Sequence, residues 1–229
     1  DYAERFPEFS DWLIDVSLKT KLINSYDLLV WNLDKHYLAD LKDRGVNVVE
    51  TYFIEAKDTR TLAELHDQLG WAKTVLKPAV SAAAKDTFKL DVGTLSELEQ
   101  HYSSLIENES MMLQPFQESV VERGEISLMV MGGQFTHAVL KVAKPGDFRV
   151  QDDFGGTVHQ YDPTQEEVDL AIAAVKACET MPFYARVDIV SDNDGKPAVS
   201  ELELVEPELW FRNNPESAAV LAQKIKKIF

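Results

Sequence analysis

The chain has 229 residues, 45% of them hydrophobic, a formal net charge of −16 at pH 7 and a pI near 4.7. This is enough for one generous domain or two small ones with a sizeable core, and four Trp, eleven Phe and seven Tyr argue against disorder. The acidity weighs against a duplex nucleic-acid partner, no apolar run reaches the roughly 18 residues of a membrane span, and the lone Cys178 excludes an internal disulfide and fits a reducing compartment, by default the cytoplasm.

The opening DYAERFPEFSDWLIDVSLKTKLINS lacks the basic and apolar regions of a signal peptide. Its Phe6, Phe9, Trp12, Leu13 and Val16 recur at helical spacing, predicting an amphipathic helix whose apolar face needs a partner. YDLLVWN follows, then a helix over DKHYLADLKDRG with Gly45 at its end. VNVVETYFIEA reads as a strand or strand pair, TLAELHDQLG as a short helix, WAKTVLKPAV as a buried strand and TLSELEQHYSSLIEN as an amphipathic helix. From Met111 onward MMLQPF, GEISLMVMGG, QFTHAVLKVAK and DFRVQDDFGG read as short antiparallel strands separated by glycine turns. Asp162 is the expected N-cap of the next helix, with Pro163 at N1 and Val168, Ala171, Ile172 and Val175 facing inward. A hairpin over Tyr184 to Leu209 and a last helix, ESAAVLAQKIKKIF, complete the chain.

That hairpin carries Asp188, Glu201, Glu203, Glu206 and Glu208 among Val, Ile and Leu. Taking Asp194 and Gly195 as a two-residue loop pairs Asn193 with Lys196, and so Asp188 with Glu201 and Arg186 with Glu203, leaving Val187 opposite Leu202 on the apolar face. Opposed carboxylates destabilise a sheet. Two readings offset the repulsion: a hard divalent cation between the oxygens, or a solvated acidic face relieved by Arg186 and water.

Other positions stand out. Lys77 ends an apolar strand, where a lysine needs water or an anion. Lys35 lies at a helix start, and Arg149 precedes a Gly-Gly at which backbone can approach a ligand. His137 has no partner at metal-ligand spacing and reads as structural, and Cys178 reads as a small buried hydrophobe. No GxSxG, HExxH or P-loop motif is present.

Together NSYDLLVWNLDKHYL, VLKPAVS, LQPF with RGE behind it, THAVLKVAKPGDFRVQDDFGG, and YARVDIV with ELELVEP resemble the ATP-grasp superfamily. The similarity is to its glutathione synthetase-like bacterial group, which includes the D-cycloserine-forming cyclo-ligase. The resemblance implies an α+β ATP-grasp fold of two subdomains clamping ATP. Residues 1–30 would be the remnant of a preceding α/β domain, 31–110 the first subdomain and 111–229 the second. It further implies Mg2+ (or Mn2+) on Asp188, Glu201 and Glu203, with Pro207 at the family's spacing. Lys35 and Lys77 would lie at the ATP phosphates, Gln114, Pro115 and Phe116 beside adenine, Glu125 at ribose, and Arg149 and Lys141 near the transferred phosphoryl group. Small residues Ser81 to Ala84 stand where many relatives have glycines over the phosphates. Ser127 replaces a basic residue of glutathione synthetase, which argues against glutathione synthesis.

The implied activity is an ATP- and Mg-dependent ligase that activates a small amino-acid-like carboxylate as an acyl phosphate for capture by an amine or related nucleophile. An ATP-grasp small-molecule kinase and a nucleotide-binding module without turnover are the alternatives. Partners are then small molecules, not nucleic acid or membrane, and a homo-oligomer is compatible with all of these readings.

Overall fold

The computed structural model describes residues 2–82, 84–151 and 154–228. Ala83, in the small-residue loop after Lys77, and Asp152 and Asp153, in DFRVQDDFGG, lie outside the described residues. No helix among the described residues is long and apolar enough to cross a membrane.

The chain forms two compact units that do not follow one another simply in sequence. Three helices come first, α1 (Phe6–Lys19), α2 (Tyr26–Leu33) and α3 (Tyr37–Asp43). Nearly all of them belongs to the second unit, whereas the link Asp34–His36 between α2 and α3 belongs to the first. Helix α3 ends as its sequence predicts: Gly45 takes a left-handed φ of 85° and the Val46 amide reaches back to the Leu41 carbonyl.

The first unit holds β1 (Tyr52–Ile54), α4 (Leu62–Leu69), β2 (Lys73–Pro78), β3 (Phe88–Asp91), α5 (Leu95–Ile106) and β4 (Met111–Pro115). The four strands form an antiparallel sheet in the order β1-β4-β2-β3. Alternation sends Ile54, Leu76, Leu90, Met111 and Leu113 into a core shared with Leu62 and Leu65 of α4 and Tyr102 and Ile106 of α5. The sequence reading grouped MMLQPF with the strands that follow it, but β4 lies inside this first sheet, between β1 and β2. Its residues Met111 to Gln114 are all buried, and a short apolar strand does not reveal by composition which sheet it joins. Strand β3 was not foreseen.

The second unit holds α6 (Ser119–Glu122), β5 (Glu125–Met131), β6 (Gln134–Val142), β7 (Thr157–Tyr161), α7 (Gln165–Lys176), β8 (Tyr184–Ser191), β9 (Pro197–Glu203) and α8 (Glu216–Lys226). Its sheet is antiparallel in the order β7-β6-β5-β8-β9. One face presents the buried row Ala138, Leu128, Val187 and Leu202. Helix α7, with Ala171, Ala174 and Val175 buried, packs against these strands.

Two local expectations need correction. Helix α7 is capped by Thr164, not Asp162: the Thr164 hydroxyl accepts from the Glu167 amide and the Glu167 carboxylate accepts from the Thr164 amide, a reciprocal pair that Asp162 cannot form from two residues earlier. The strand expected over DFRVQDDFGG is also absent among its described residues, and the fourth strand of this run is Thr157–Tyr161. Asp147 accepts from the Phe148 and Arg149 amides, and the Gly156 amide bonds to Gln151 O at 3.2 Å. A Cβ on Gly156 would lie 2.2 Å from Val150 O. Gly156→Ala is therefore expected to destabilise the protein by about 1–3 kcal/mol, read by urea unfolding, and an unchanged midpoint would contradict the close approach.

Candidate active site

Two clusters, one in each unit, contain the chemically suggestive residues. In the first unit the register Val75↔Gln114 and Lys77↔Met112 puts Lys77, Gln114 and Phe116 on the sheet face opposite the Leu76 and Leu113 core. Gln114 is buried and donates to Thr51 Oγ1 at 2.8 Å. Pro115 pairs with Thr74, and the Phe116 amide bonds to Lys73 O while Lys89 Nζ sits 3.5 Å above the Phe116 ring. Lys35 is tied to the same unit, its amide to Ala79 O at 2.9 Å and its ammonium to Ser81 O at 2.8 Å. The ammonium is buried yet satisfied, as a cation in such a position must be.

The second cluster lies on the sheet face opposite Leu128 and Leu202. Register aligns Val139, Ser127, Asp188 and Glu201 in one row across four strands, and His137, Met129, Arg186 and Glu203 in the next. Asp188 faces Glu201 as the hairpin reading predicted, although the turn differs. The loop has three residues, Asn193 to Gly195, closed by Asp192 N to Lys196 O, with Gly195 at a φ of 82°. The Asp192 carboxylate favours this longer turn by accepting from the amides of Asp194 and Lys196. A bulge at Ser200, opposite the Asp188–Ile189 step, then shifts the register back by one. The two deviations cancel at the carboxylates.

Asp188 is 1% exposed. It accepts from Ser127 Oγ at 2.6 Å, from Lys141 Nζ at 2.8 Å, and from Arg186 Nε and Nη2 at 2.9 Å each. Arg186 also reaches Glu203, and Lys141 bridges to Glu125 Oε1 at 2.6 Å. The other Glu125 oxygen accepts from Ser200, the bulge residue, at 2.9 Å. Burial alone would raise the Asp188 pKa, but the charges and hydrogen bonds of Arg186 and Lys141 overcome it and hold the carboxyl well below its usual range. Glu203 moves the other way: its poorly solvated position, with Glu201 and Asp188 beside it, raises its pKa against the pull of Arg186, even though its side chain keeps 30% of its surface exposed.

Lys141 and Arg186 thus bridge Asp188 to Glu125 and Glu203, and Glu201 lies in the same cluster. Asp188, Glu201 and Glu203 offer ligand oxygens within 4.8 Å of one another. An all-oxygen set of three carboxylates fits a hard divalent cation such as Mg2+. Ser200 went unnoticed in the sequence because a lone serine in a strand carries no pattern, Ser127 was singled out only as a departure from glutathione synthetase and not as a partner of Asp188, and Arg186 was visible only as charge relief. Arg149 lies elsewhere. Among the described residues its guanidinium is engaged by Asp147, at 3.1 and 2.9 Å, and stacks 3.8 Å from the Phe154 ring centroid.

His137 is structural, as expected: its ring contacts Thr136 Oγ1 and Leu209 O, each at 3.0 Å. Burial lowers its pKa from the ordinary 6.5, with the carbonyl contact opposing. As pH falls below the unfolded value the unfolded chain binds a proton first, so stability declines through that window and is fully retained above it. Between about pH 7 and pH 5 the His137→Gln variant is expected to lose less stability than the parent, measured by urea unfolding; equal losses would contradict the assignment.

The chain belongs to the RimK-like ATP-grasp family, whose model matches residues 41–206. It is 33% identical over 243 aligned positions, covering 98% of this chain and 79% of the relative, to the cycloserine biosynthesis protein DcsG of Streptomyces lavendulae. The crystal structure of the D-cycloserine synthetase DcsG superposes with a TM-score of 0.86 at 32% identity, covering 99% of this chain and 80% of that one. The fold is shared with the ATP-grasp ligase PsnB complexed with its minimal precursor (TM-score 0.65, 21% identity, 96% and 70% covered). It is also shared with the D-alanine–D-alanine ligase of Bacillus anthracis (TM-score 0.63, 17% identity, 87% and 68% covered). The protein is an ATP-dependent ligase, of a family that uses ATP and Mg2+.

Proposed function

We propose that the ligase joins a small, amino-acid-like carboxylic acid to an amine or related nucleophile through an acyl phosphate. The buried Asp188, with ligand oxygens of Glu201 and Glu203 gathered within 4.8 Å of its own and of one another, carries the reading. Similarity to a D-cycloserine synthetase supports the substrate class.

In this reading a carboxylate oxygen attacks the γ-phosphorus of ATP, the bond to the β-phosphate oxygen breaks and ADP leaves. The nucleophile then attacks the acyl carbon, inorganic phosphate departs and the nucleophile loses its proton to solvent. Lys35 and Lys77 bind phosphate oxygens and neutralise their charge. Lys35 must exchange its Ser81 contacts to do so. Gln114, Pro115 and Phe116 border adenine, with the Phe116 ring as an apolar wall. Glu125 takes a ribose hydroxyl on a lone pair that Ser200 and Lys141 leave open. Lys141 lies near the phosphoryl group while keeping Asp188 ionised, and Arg149 reaches the transferred phosphoryl group by leaving Asp147. Asp188, Glu201 and Glu203 would hold Mg2+, which would supply neutralisation of phosphate charge. No side-chain nucleophile is required, so positioning and electrostatics carry the rate. The cytoplasm, where ATP and free amino acids coexist, suits both the reaction and the unpaired, buried Cys178.

A co-substrate screen for Mg-dependent ADP release tests the proposal. ADP formation that requires both a carboxylic acid and a nucleophile is expected. Release of a phosphorylated hydroxyl compound, with no acid needed, would overturn it.

A further inference from the structure

Strand β9 carries Glu201 and Glu203 yet lies at the edge of its sheet, with β8 on only one side. The outward backbone groups of an edge strand need partners when buried. Before the bulge one residue meets them with both its main chain and its side chain: Val199 N donates to Asn47 O at 2.9 Å, and Asn47 Nδ2 donates to Pro197 O at 2.8 Å. Beyond the bulge the partners are side chains alone. Leu202 N donates to the Tyr37 hydroxyl at 3.0 Å, and Leu202 O accepts from Asn32 Nδ2 at 2.7 Å. Leu204 N donates to Asn32 Oδ1 at 2.8 Å, and Leu204 O accepts from Asn24 Nδ2 at 2.9 Å. Asn24 also takes the Phe183 amide at 2.7 Å and donates to Tyr184 O at 3.0 Å, next to the start of β8.

An Asn amide is a peptide group on a one-carbon stem, one acceptor and two donors. Asn32 therefore bonds to Leu202 and Leu204 as a neighbouring strand would. Asn24, Asn32 and Tyr37 are 3%, 6% and 2% exposed, so water does not compete for these bonds. The three lie in NSYDLLVWNLDKHYL, a segment singled out in the sequence that the catalytic reading uses only for Lys35. Asn24 adopts a left-handed φ of 60° to make its contacts, a conformation that Asn tolerates better than most residues. The gripped residues, Leu202 and Leu204, alternate with Glu201 and Glu203. Fixing the backbone of the first pair fixes the side-chain origin of the second.

We propose that Asn32 and Tyr37, with Asn24, are positioning residues for the cation site: a side-chain surrogate for a missing sixth strand that sets the separation of Glu201 and Glu203 from Asp188. The inference rests on the reading of those three carboxylates as the metal ligands. Outer partners of metal ligands typically change affinity by about 10–100-fold when removed.

The experiment measures Mn2+ binding by electron paramagnetic resonance, with a non-hydrolysable ATP analogue present, alongside the melting temperature and the Mg2+ concentration for half-maximal ADP release. Tyr37→Phe removes one hydroxyl and keeps the ring, so it is the variant expected to stay folded. Asn32→Asp turns a donor into an acceptor facing Leu202 O. Both are expected to weaken Mn2+ binding by roughly tenfold or more and to raise the Mg2+ requirement by a similar factor, at temperatures well below melting. Glu201→Gln is the control. If Glu201→Gln weakens Mn2+ while Tyr37→Phe lowers only the melting temperature, the clamp is merely structural and the inference is overturned. If Glu201→Gln binds Mn2+ like the parent, the ligand assignment itself fails. Should Asn32→Asp not fold, Tyr37→Phe alone decides.

Discussion

Replacing Asp188 by Asn is expected to reduce Mg-dependent ADP release by at least about 100-fold, the scale seen when a preorganised electrostatic group is removed from a phosphoryl or acyl transfer site. The amide keeps the shape of the carboxylate but loses its charge, and its NH2 would face the donors Ser127, Lys141 or Arg186, which occupy both carboxylate oxygens. Buried cations would be left without their main counter-charge, so the melting temperature should fall as well. Rate and half-saturating Mg2+ measured together separate the effects. A variant with the parent's Mg2+ dependence would contradict the assignment of Asp188 to the metal.

The second large effect concerns stability. Lys141 is buried with its ammonium between Glu125 and Asp188, at 2.6 and 2.8 Å. Burial lowers its pKa, and the two carboxylates more than reverse that, so it remains charged. Lys141→Met leaves carboxylates buried without this partner, which costs about 3–5 kcal/mol when a buried ion pair is broken from one side. Adding Glu125→Gln removes one of the stranded charges, and the double variant should recover part of the loss. The coupling is expected at about 0.5–3 kcal/mol, measured by urea unfolding without added divalent cation. A single variant within about 1 kcal/mol of the parent would mean that water, not Lys141, compensates these carboxylates.

Much of this was legible in the sequence where the signal is local or periodic. The capped helix α4, with Thr61 and Glu64 forming its reciprocal pair and Gly70 at φ 69°, follows from residues adjacent in sequence. The pairing of Asp188 with Glu201 followed from hydrophobic parity, and it held despite a misjudged turn because the bulge at Ser200 repaid the extra loop residue. Parity across the apolar face constrains a register more tightly than a turn motif does. Placement of β4 was not legible, since a uniformly buried strand reads the same in either sheet. Nor were the roles of Asn24, Asn32 and Tyr37: the hydrogen bonds they make span more than 150 residues, from Asn24 at Tyr184 to Asn32 at Leu204, and no local pattern distinguishes an asparagine that bonds a distant strand from one that bonds its own turn. The acidic cluster stood between. Its carboxylates were visible as opposed charges, whereas the bridge that Lys141, on another strand, makes between Asp188 and Glu125 emerged only from the folded sheet.

The central claim is activation of a carboxylate as an acyl phosphate, and isotope transfer tests it most directly. With the acid substrate labelled by 18O in its carboxylate, the account predicts one 18O atom in the inorganic phosphate released by each complete turnover, because the attacking oxygen remains on phosphorus when the nucleophile displaces it. Unlabelled phosphate, or label appearing in AMP, would contradict it.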